Sequence, residues 1–548
     1  MAHFTINTFG GSTPRLAPHL VQQNHAVKAM DCRLESGQLS SWRELKFVEA
    51  AEADGLVDFG CCRAFQPDCI EVAHVPSCGR AFVTSASERP RWFRHLQGCS
   101  YDSFILGVPV PAHPPSVNIM ANDPEPGFPD EKLELQVFAY QYENVAGERG
   151  ELSPPSDHVD AGFFDNIILS TPHDPNISIS EWGLTRVIFY RAEYGYETGF
   201  EQGNTDQSAW VEIGSADLTI STVANLSFVP ENDFGPLNAL EVDLAPPPPR
   251  NLRGITLISG TNTLCGYAGN SVYFSDNNRY YSWPHFLELE HKIKGIAENN
   301  GVLYVGTTGE PYIISAAVDC DSADCRSVTK LPGNYPMLSV GNRGMAKVRA
   351  GAVYPSRDGL ILLAGTNAPV VLTWPLYTSR EWMAMGPNMA RPIEHGGKLF
   401  VFMSKGAFVM SSPEGSEQGW SLDFHSELSD RNVRNVLVTR NGLLFIHKGN
   451  ELYQWDAGTT LREHTWQSRE LVKPVNIPFG AGNMNFHGGE EAVTVRVDGR
   501  TVLNRNVLSS REFRLPMWAT GTRWDVTLRG TATVNLLTLA ETMQEVGS

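Results

Sequence analysis

The chain has 548 residues, 42% of them hydrophobic and 19% charged, with 49 Gly and 35 Pro. This length predicts several domains, and the Gly and Pro content suits a turn-rich all-β protein. A net charge of −18 argues against a surface that grips nucleic acid, which needs Lys and Arg to displace counterions. The sequence contains no run of about 18 apolar residues, as a membrane-spanning helix would need. Met1–Asn7 lacks the basic and apolar regions of a signal peptide, so a cytoplasmic site of synthesis and assembly is expected.

In chain order, residues 1–55 form an N-terminal arm. Phe9-Gly10-Gly11-Ser12-Thr13-Pro14-Arg15-Leu16 is extended and punctuated by Gly and Pro. Ala26 to Cys32 fits either one helical turn or a strand, and Arg33 to Leu39 reads as strand, turn, strand. Such an arm has no core of its own and can clasp or swap.

Residues 56–108 read as a first propeller blade, with strands at Cys69–Ala73 and Arg80–Ser85 followed by Arg91-Trp92-Phe93. The same cadence returns at Leu264–Tyr267, Ser271–Ser275 and Tyr281–Pro284, an internal echo of one unit. Between them, residues 109–249 form an insertion bounded by Pro109–Pro115 and Pro246–Pro249, both stiff spacers. Its short strands, among them Leu133–Tyr140, Ile167–Leu169, Arg186–Arg191 and Trp210–Ile213, predict a β-sandwich of fibronectin or immunoglobulin type.

Residues 250–465 repeat a phrase of polar turn and apolar run. Asn299-Asn300-Gly301 precedes Val302–Val305, and Arg357-Asp358-Gly359 precedes Leu360–Leu363. His395-Gly396-Gly397 precedes Lys398–Met403, and Arg440-Asn441-Gly442 precedes Leu443–Ile446. Such turns supply the positive φ angles of tight hairpins. The period of roughly 40 to 60 residues matches a four-stranded blade. The expected fold is therefore an all-β protein, a propeller of about five or six blades with an inserted sandwich. Residues 466–548, with strands at Ala492–Val497, Arg523–Leu528 and Val534–Leu539, add a C-terminal β-sandwich.

Motifs for chemistry are sparse. H-E-x-x-H, G-x-S-x-G, P-loop and dinucleotide fingerprints are missing, so no catalytic, cofactor-binding or metal residue is assigned and no cofactor is expected. Asp319, Asp321 and Asp324 lie at short spacing but lack the Gly and Glu of an EF-hand loop. A solvated loop is the expectation there, and a metal remains an open alternative. Cys320 and Cys325 flank that loop and stay free in a reducing compartment. Cys61, Cys62, Cys69, Cys78 and Cys99 match no common zinc spacing and are expected as free thiols. Trp283, Trp374, Trp382, Trp420, Trp455 and Trp466 recur near blade ends. Blade packing is the expectation, and a sugar-stacking surface is the alternative.

Two stretches carry a family resemblance at the start of the chain: Phe9-Gly10-Gly11…Pro14-Arg15-Leu16 and Ala29…Asp31-Cys32-Arg33-Leu34-Glu35-Ser36-Gly37-Gln38-Leu39. Further on come Pro247–Gly254, Gly269–Ser275, Thr307–Tyr312, Gly521–Gly530 and Leu539–Met543. Together they resemble the tail nozzle, or tail tubular, proteins of short-tailed bacteriophages, with Asp31 standing where Asn is commoner. The resemblance covers both ends and the propeller, and it weakens in the insertion. It implies a virion structural protein without enzymatic activity. Such a protein forms a ring, usually a hexamer, below the adaptor under the portal and encloses the DNA channel. The implied partners are other copies of the chain, the adaptor and tail fibre proteins, with phage DNA passing through unbound. A negative lumen agrees with the charge. The rival reading is a propeller-type carbohydrate-binding protein or glycoside hydrolase acting on cell-surface sugars, with two carboxylates meeting in space. A receptor-binding fibre would carry β-helix repeats, which the sequence lacks.

Overall fold

The computed structural model describes residues 4–34, 37–50, 55–58, 63–66, 70–96, 100–122, 136–161, 165–193, 210–219, 221–229, 245–316, 326–338, 344–403, 406–411, 421–425, 428, 433–439, 441–473 and 478–546. The chain divides into two compact units. One comprises Met1–Cys69, His291–Ala316 and Ser327–Ser548; the other comprises Ile70–Glu290 with Ala317–Arg326. The fold is all-β: a β-propeller with an inserted fibronectin/immunoglobulin-like sandwich and a C-terminal β-sandwich. Among the described residues the α-helices are single turns or little more, at Ile179–Trp182, Ser379–Ala384 and Met543–Val546.

In the unit built on Ile70–Glu290, two blades flank the insertion. The first is a meander of Ile70–Val75, Arg80–Ser85, Arg91–His95 and Tyr101–Ile105. The second runs through Arg253–Leu257, Leu264–Ala268, Ser271–Phe274 and His285–Glu288. Ala73, Phe82 and Trp92 of one blade share a core with Ile255, Leu264 and Trp283 of the next. The insertion therefore leaves and re-enters between packed neighbours. The internal echo falls one strand out of step: it aligns the first two strands of one blade with the middle two of the other. Alternating apolar residues mark a strand but not its place in a meander.

The insertion is two three-stranded sheets. Gln136–Asn144, Leu184–Glu193 and Val211–Asp217 form one; Ser116–Met120, Asn166–Ser170 and Asn225–Phe228 form the other. Phe138, Tyr140, Tyr142, Val187 and Phe189 pack against Ile167 and Leu169 between them. On the first sheet, Arg149 bridges Glu143 at 3.1 Å and Glu212 at 2.9 Å and donates to the Tyr190 hydroxyl at 3.2 Å. Burial pushes the Tyr190 phenol up to about 12.

The other unit holds four more blades. The third blade comprises Ile293–Asn299, Val302–Thr307, Tyr312–Ala316 and Arg326–Lys330. Ala346–Val348, Gly351–Pro355, Leu360–Leu363 and Val370–Val371 form the fourth. Arg391–His395, Lys398–Met403, Gly406–Ser411 and Ser421–Phe424 form the fifth. Successive blades share cores: Tyr304 and Ile313 with Tyr354 and Ile361, then Val353 and Leu360 with Val401 and Phe408. Two hairpin turns are of the tight kind expected. Asn300 and Gly301 both take positive φ (53° and 80°), as do Gly396 and Gly397 (59° and 73°), matching a type I′ turn that follows strand twist.

Among the described residues, the sixth blade draws three strands from its own stretch: Val433–Val438, Leu444–Lys448 and Glu451–Gln454. Its fourth is Lys46–Ala50, antiparallel to Glu451–Gln454 and about 400 positions earlier in the chain. The first 55 residues, expected as an arm without a core, are thus strand-bearing. Phe4–Ile6 adds to the edge of a C-terminal sheet beside Leu537–Leu539. Ala26–Met30 is a strand rather than a helical turn, antiparallel to His464–Ser468, with Met30 paired in parallel to Phe424. The fifth blade and one C-terminal sheet thereby fuse into a single ten-stranded sheet. Of the stretch expected as the first blade, Gly55–Asp58 and Arg63–Gln66 instead form a separate hairpin. Leu56 packs on Phe445 and Leu452, and the Arg63 guanidinium lies 4.8 Å above the Phe445 ring.

The C-terminal sandwich encloses Trp466, Phe479, Met484, Val493, Val495, Trp524, Val526 and Leu537. Phe4, Ile6 and Phe9 from the N-terminal segment complete that core.

Candidate functional site

A buried polar cluster lies where the N-terminal segment crosses between the fifth blade and the C-terminal sandwich. Asp31 follows the Ala26–Met30 strand with φ 56°, a left-handed turn that Asp and Asn tolerate better than other non-glycine residues. The turn aims its carboxylate inward. Arg462 donates to Asp31 Oδ1 at 3.0 Å, and His425 Nδ1 lies 3.2 Å from the same oxygen. Both ion-pair side chains are at most 10% exposed. Burial, and then the Arg462 charge, holds the His425 imidazole well below its ordinary range, so it is neutral near pH 7.

Beside this pair, Cys32 donates its backbone N–H to Asp423 Oδ1 at 3.0 Å. Trp42 Nε1 donates to the Cys32 carbonyl at 3.0 Å and to Asp423 Oδ2 at 3.3 Å. Burial pushes the Asp423 carboxyl well up, although both of these donors oppose the shift. The Trp42 ring packs 5.3 Å from Trp455 and 5.2 Å from the Arg33 guanidinium. Arg33 also reaches Asp456 at 3.0 Å. Asp423 and His425 come from the end of the fifth blade, Trp455 and Asp456 from the end of the sixth, and Arg462 from the link to the C-terminal sandwich. The arrangement is a clasp.

A second buried chain is Ser41, His464 and Glu491. Ser41 Oγ lies 2.9 Å from His464 Nδ1, and His464 Nε2 lies 3.2 Å from Glu491 Oε1. The order is that of a nucleophile, a base and its orienting acid. These residues are only 6%, 0% and 1% exposed, and Ser41 Oγ also faces the Gly530 carbonyl at 3.4 Å. A nucleophile must meet substrate, and this one is sealed in the seam between the N-terminal segment and the C-terminal sheet. Its geometry serves to stitch the two together. Sequence reading missed both clusters because each joins the N-terminal segment to residues more than 400 positions later and shares no motif with them.

Asp319, Asp321 and Asp324 lie outside the described residues, as do Cys61, Cys62, Cys69, Cys99, Cys320, Cys325 and Trp420. Cys32 and Cys265 are buried, and Cys78 is exposed. Among the described residues, no group of three or more His, Cys, Asp or Glu could hold a metal ion. Trp283, Trp382, Trp455 and Trp466 are buried. Trp382 Nε1 donates to the Ser356 carbonyl at 2.8 Å and Trp466 Nε1 to the Gly10 carbonyl at 3.0 Å. They are packing residues. Trp374 is exposed, with the Arg15 guanidinium 4.7 Å above its ring.

No protein-family model matches the chain, and no curated protein does. Many solved structures share some of its shape. BamB from Moraxella catarrhalis is 11% identical, with 75% of this chain and 97% of that one covered and a TM-score of 0.27. The Cps50 (Swd1) β-propeller domain of Myceliophteria thermophila is 14% identical over 47% of this chain and 84% of that one, TM-score 0.30. PorZ of Porphyromonas gingivalis is 12% identical over 90% and 71%, TM-score 0.27. At such scores the likeness carries no argument about function, and the fold assignment rests on the sheets themselves.

Proposed function

We propose that the chain is a structural subunit of a phage tail nozzle. Copies form a ring, six being the expected number, below the adaptor, extend the DNA exit channel and offer attachment surfaces to fibres. The observation that carries this reading is the clasp. One N-terminal segment completes the sixth blade, joins the fifth blade to the C-terminal sandwich and enters that sandwich's core. Force applied across this unit loads several strand contacts and a buried ion pair together, which suits a part whose work is mechanical. The net charge of −18 per copy keeps a ring's field negative, so DNA slides past without sticking. The sequence resemblance at both ends and along the propeller gives the same answer.

Mass photometry of the purified chain, alone and with a candidate adaptor protein, tests the reading. Closed rings, or monomers that become rings on the adaptor, support it. A chain that stays monomeric in both settings overturns it and turns attention to glycan binding.

A further inference from the structure

The sequence holds two Asn-Gly pairs, Asn300-Gly301 and Asn441-Gly442. Such a pair is open to an internal reaction, in which the backbone nitrogen after the asparagine attacks the carbon of its side-chain amide. Glycine leaves that nitrogen uncrowded because it has no Cβ. Asn300 and Asn441 are both exposed, each at a hairpin turn, but the two nitrogens are held differently. Asn300 and Gly301 form the two-residue turn between Ile293–Asn299 and Val302–Thr307. There the Gly301 N–H donates to Glu298 Oε1 at 2.7 Å. The nucleophile's proton already faces a carboxylate, within the reach a general base needs. The Gly442 N–H instead donates to the Thr439 carbonyl at 2.9 Å, which is no base.

We infer that Asn300 is a self-modifying site whose base is Glu298. Glu298 takes the proton from the Gly301 nitrogen, and that nitrogen bonds to Asn300 Cγ and closes a five-membered succinimide. The bond from Cγ to Nδ2 breaks, and Glu298 returns the proton to the departing nitrogen, which leaves as ammonia. Water then opens the ring at either carbonyl and gives aspartate or isoaspartate at position 300. The carboxylate of Glu298 is regenerated, and water is the co-reactant. Ring closure takes Asn300 out of its left-handed turn (φ 53°), and a hairpin tip is a place where local opening costs little.

The product acts on the seam between two blades. Isoaspartate carries the main chain through its side chain and adds one methylene to a two-residue turn, which disturbs the pairing of Asn299 with Val302. Asn299 is buried, and its Nδ2 donates to the Val348 carbonyl at 2.9 Å and the Gly351 carbonyl at 3.4 Å. These bonds stitch the third blade to the fourth. Either product also places a new carboxylate two positions from Glu298.

Peptide mapping with chromatography that resolves isoaspartate follows positions 300 and 441 during incubation near neutral pH. The samples are folded wild type, wild type unfolded in guanidinium, and Glu298→Gln. The unfolded chain sets the ratio of the two rates that sequence alone dictates. The expected ratio of position 300 to position 441 is at least about tenfold higher in the folded protein, and Glu298→Gln returns it to the unfolded value. Far-UV circular dichroism checks that Glu298→Gln folds; if it does not, the comparison of folded with unfolded wild type decides alone. A folded ratio equal to or below the unfolded one overturns the inference, as does a folded Glu298→Gln that keeps the wild-type ratio. Hydrogen exchange across 293–307 and 346–355 reads the seam. It should be faster in aged wild type than in aged Asn300→Gly, which cannot cyclise and copies the Gly396-Gly397 turn; equal exchange overturns the loosening.

Discussion

Replacing Asp31 by Asn changes one atom's chemistry and little of its shape. Asn accepts the left-handed turn that Asp31 adopts, so the backbone between Met30 and Cys32 can stay as it is. What disappears is the negative charge 3.0 Å from Arg462. Both side chains are at most 10% exposed, so the buried Arg462 charge loses the carboxylate that faces it. Breaking such a pair costs about 3 kcal/mol, and the amide oxygen can still accept one hydrogen bond, which trims the figure toward about 2. If the clasp opens as a local unit, this loss raises amide exchange in the Ala26–Arg33 peptide by roughly thirty- to a hundredfold, since about 1.4 kcal/mol is tenfold. Hydrogen exchange with mass spectrometry reads it directly. Adding Arg462→Met to Asp31→Asn should return much of the protection, because the stranded charge is gone. Unchanged exchange in Asp31→Asn, or a double variant worse than the single, would refute the reasoning.

The same cluster predicts a pH dependence. The His425 imidazole in the fold is held well below its ordinary value by burial and by Arg462. The unfolded chain therefore binds a proton that the folded one refuses, and His425 lowers stability as pH falls below about 6.5, by up to about 1.4 kcal/mol per pH unit. His425→Gln should flatten that slope in denaturant melts between pH 6.5 and the depressed folded value; an identical slope in both proteins would contradict the assignment. Trp42→Ala removes a buried ring and the N–H that meets Cys32 and Asp423, a loss of about 3–5 kcal/mol visible as a lower melting temperature. Gly351→Ala should prevent the fourth blade from forming, because at φ 150° a Cβ would overlap the Leu363 carbonyl oxygen; soluble, wild-type-like protein would argue against the blade geometry. Ser41→Ala should cost about 1 kcal/mol through its lost hydrogen bond to His464, with the melt as readout.

Much of the propeller was legible because its signals are local. Asn300-Gly301 and Gly396-Gly397 announce tight hairpins through the φ angles they permit, and the short apolar runs beside them, too brief for helices, read as strands. The strands of the insertion were legible for the same reason, through alternation in stretches such as Arg186–Arg191. What stayed hidden is non-local. Nothing in Lys46-Phe47-Val48-Glu49-Ala50 says that its partner is Glu451–Gln454, because ladder hydrogen bonds are made by backbone atoms common to all residues. The two polar clusters were hidden likewise: Asp31, His425 and Arg462 are ordinary singly, and only folding brings both His425 and Arg462 within 3.2 Å of the Asp31 carboxylate. The proline-bearing loop 14–20 read as an extended arm without a core because Gly and Pro mark irregular backbone whether it is anchored or not.

The central claim is mechanical and architectural, and electron microscopy of the chain assembled on its adaptor tests it most directly. A nozzle subunit should give closed rings with an open lumen lined by acidic side chains and wide enough for a DNA duplex. A monomer decorating the adaptor's flank, or a ring whose lumen is basic or aromatic, would contradict it.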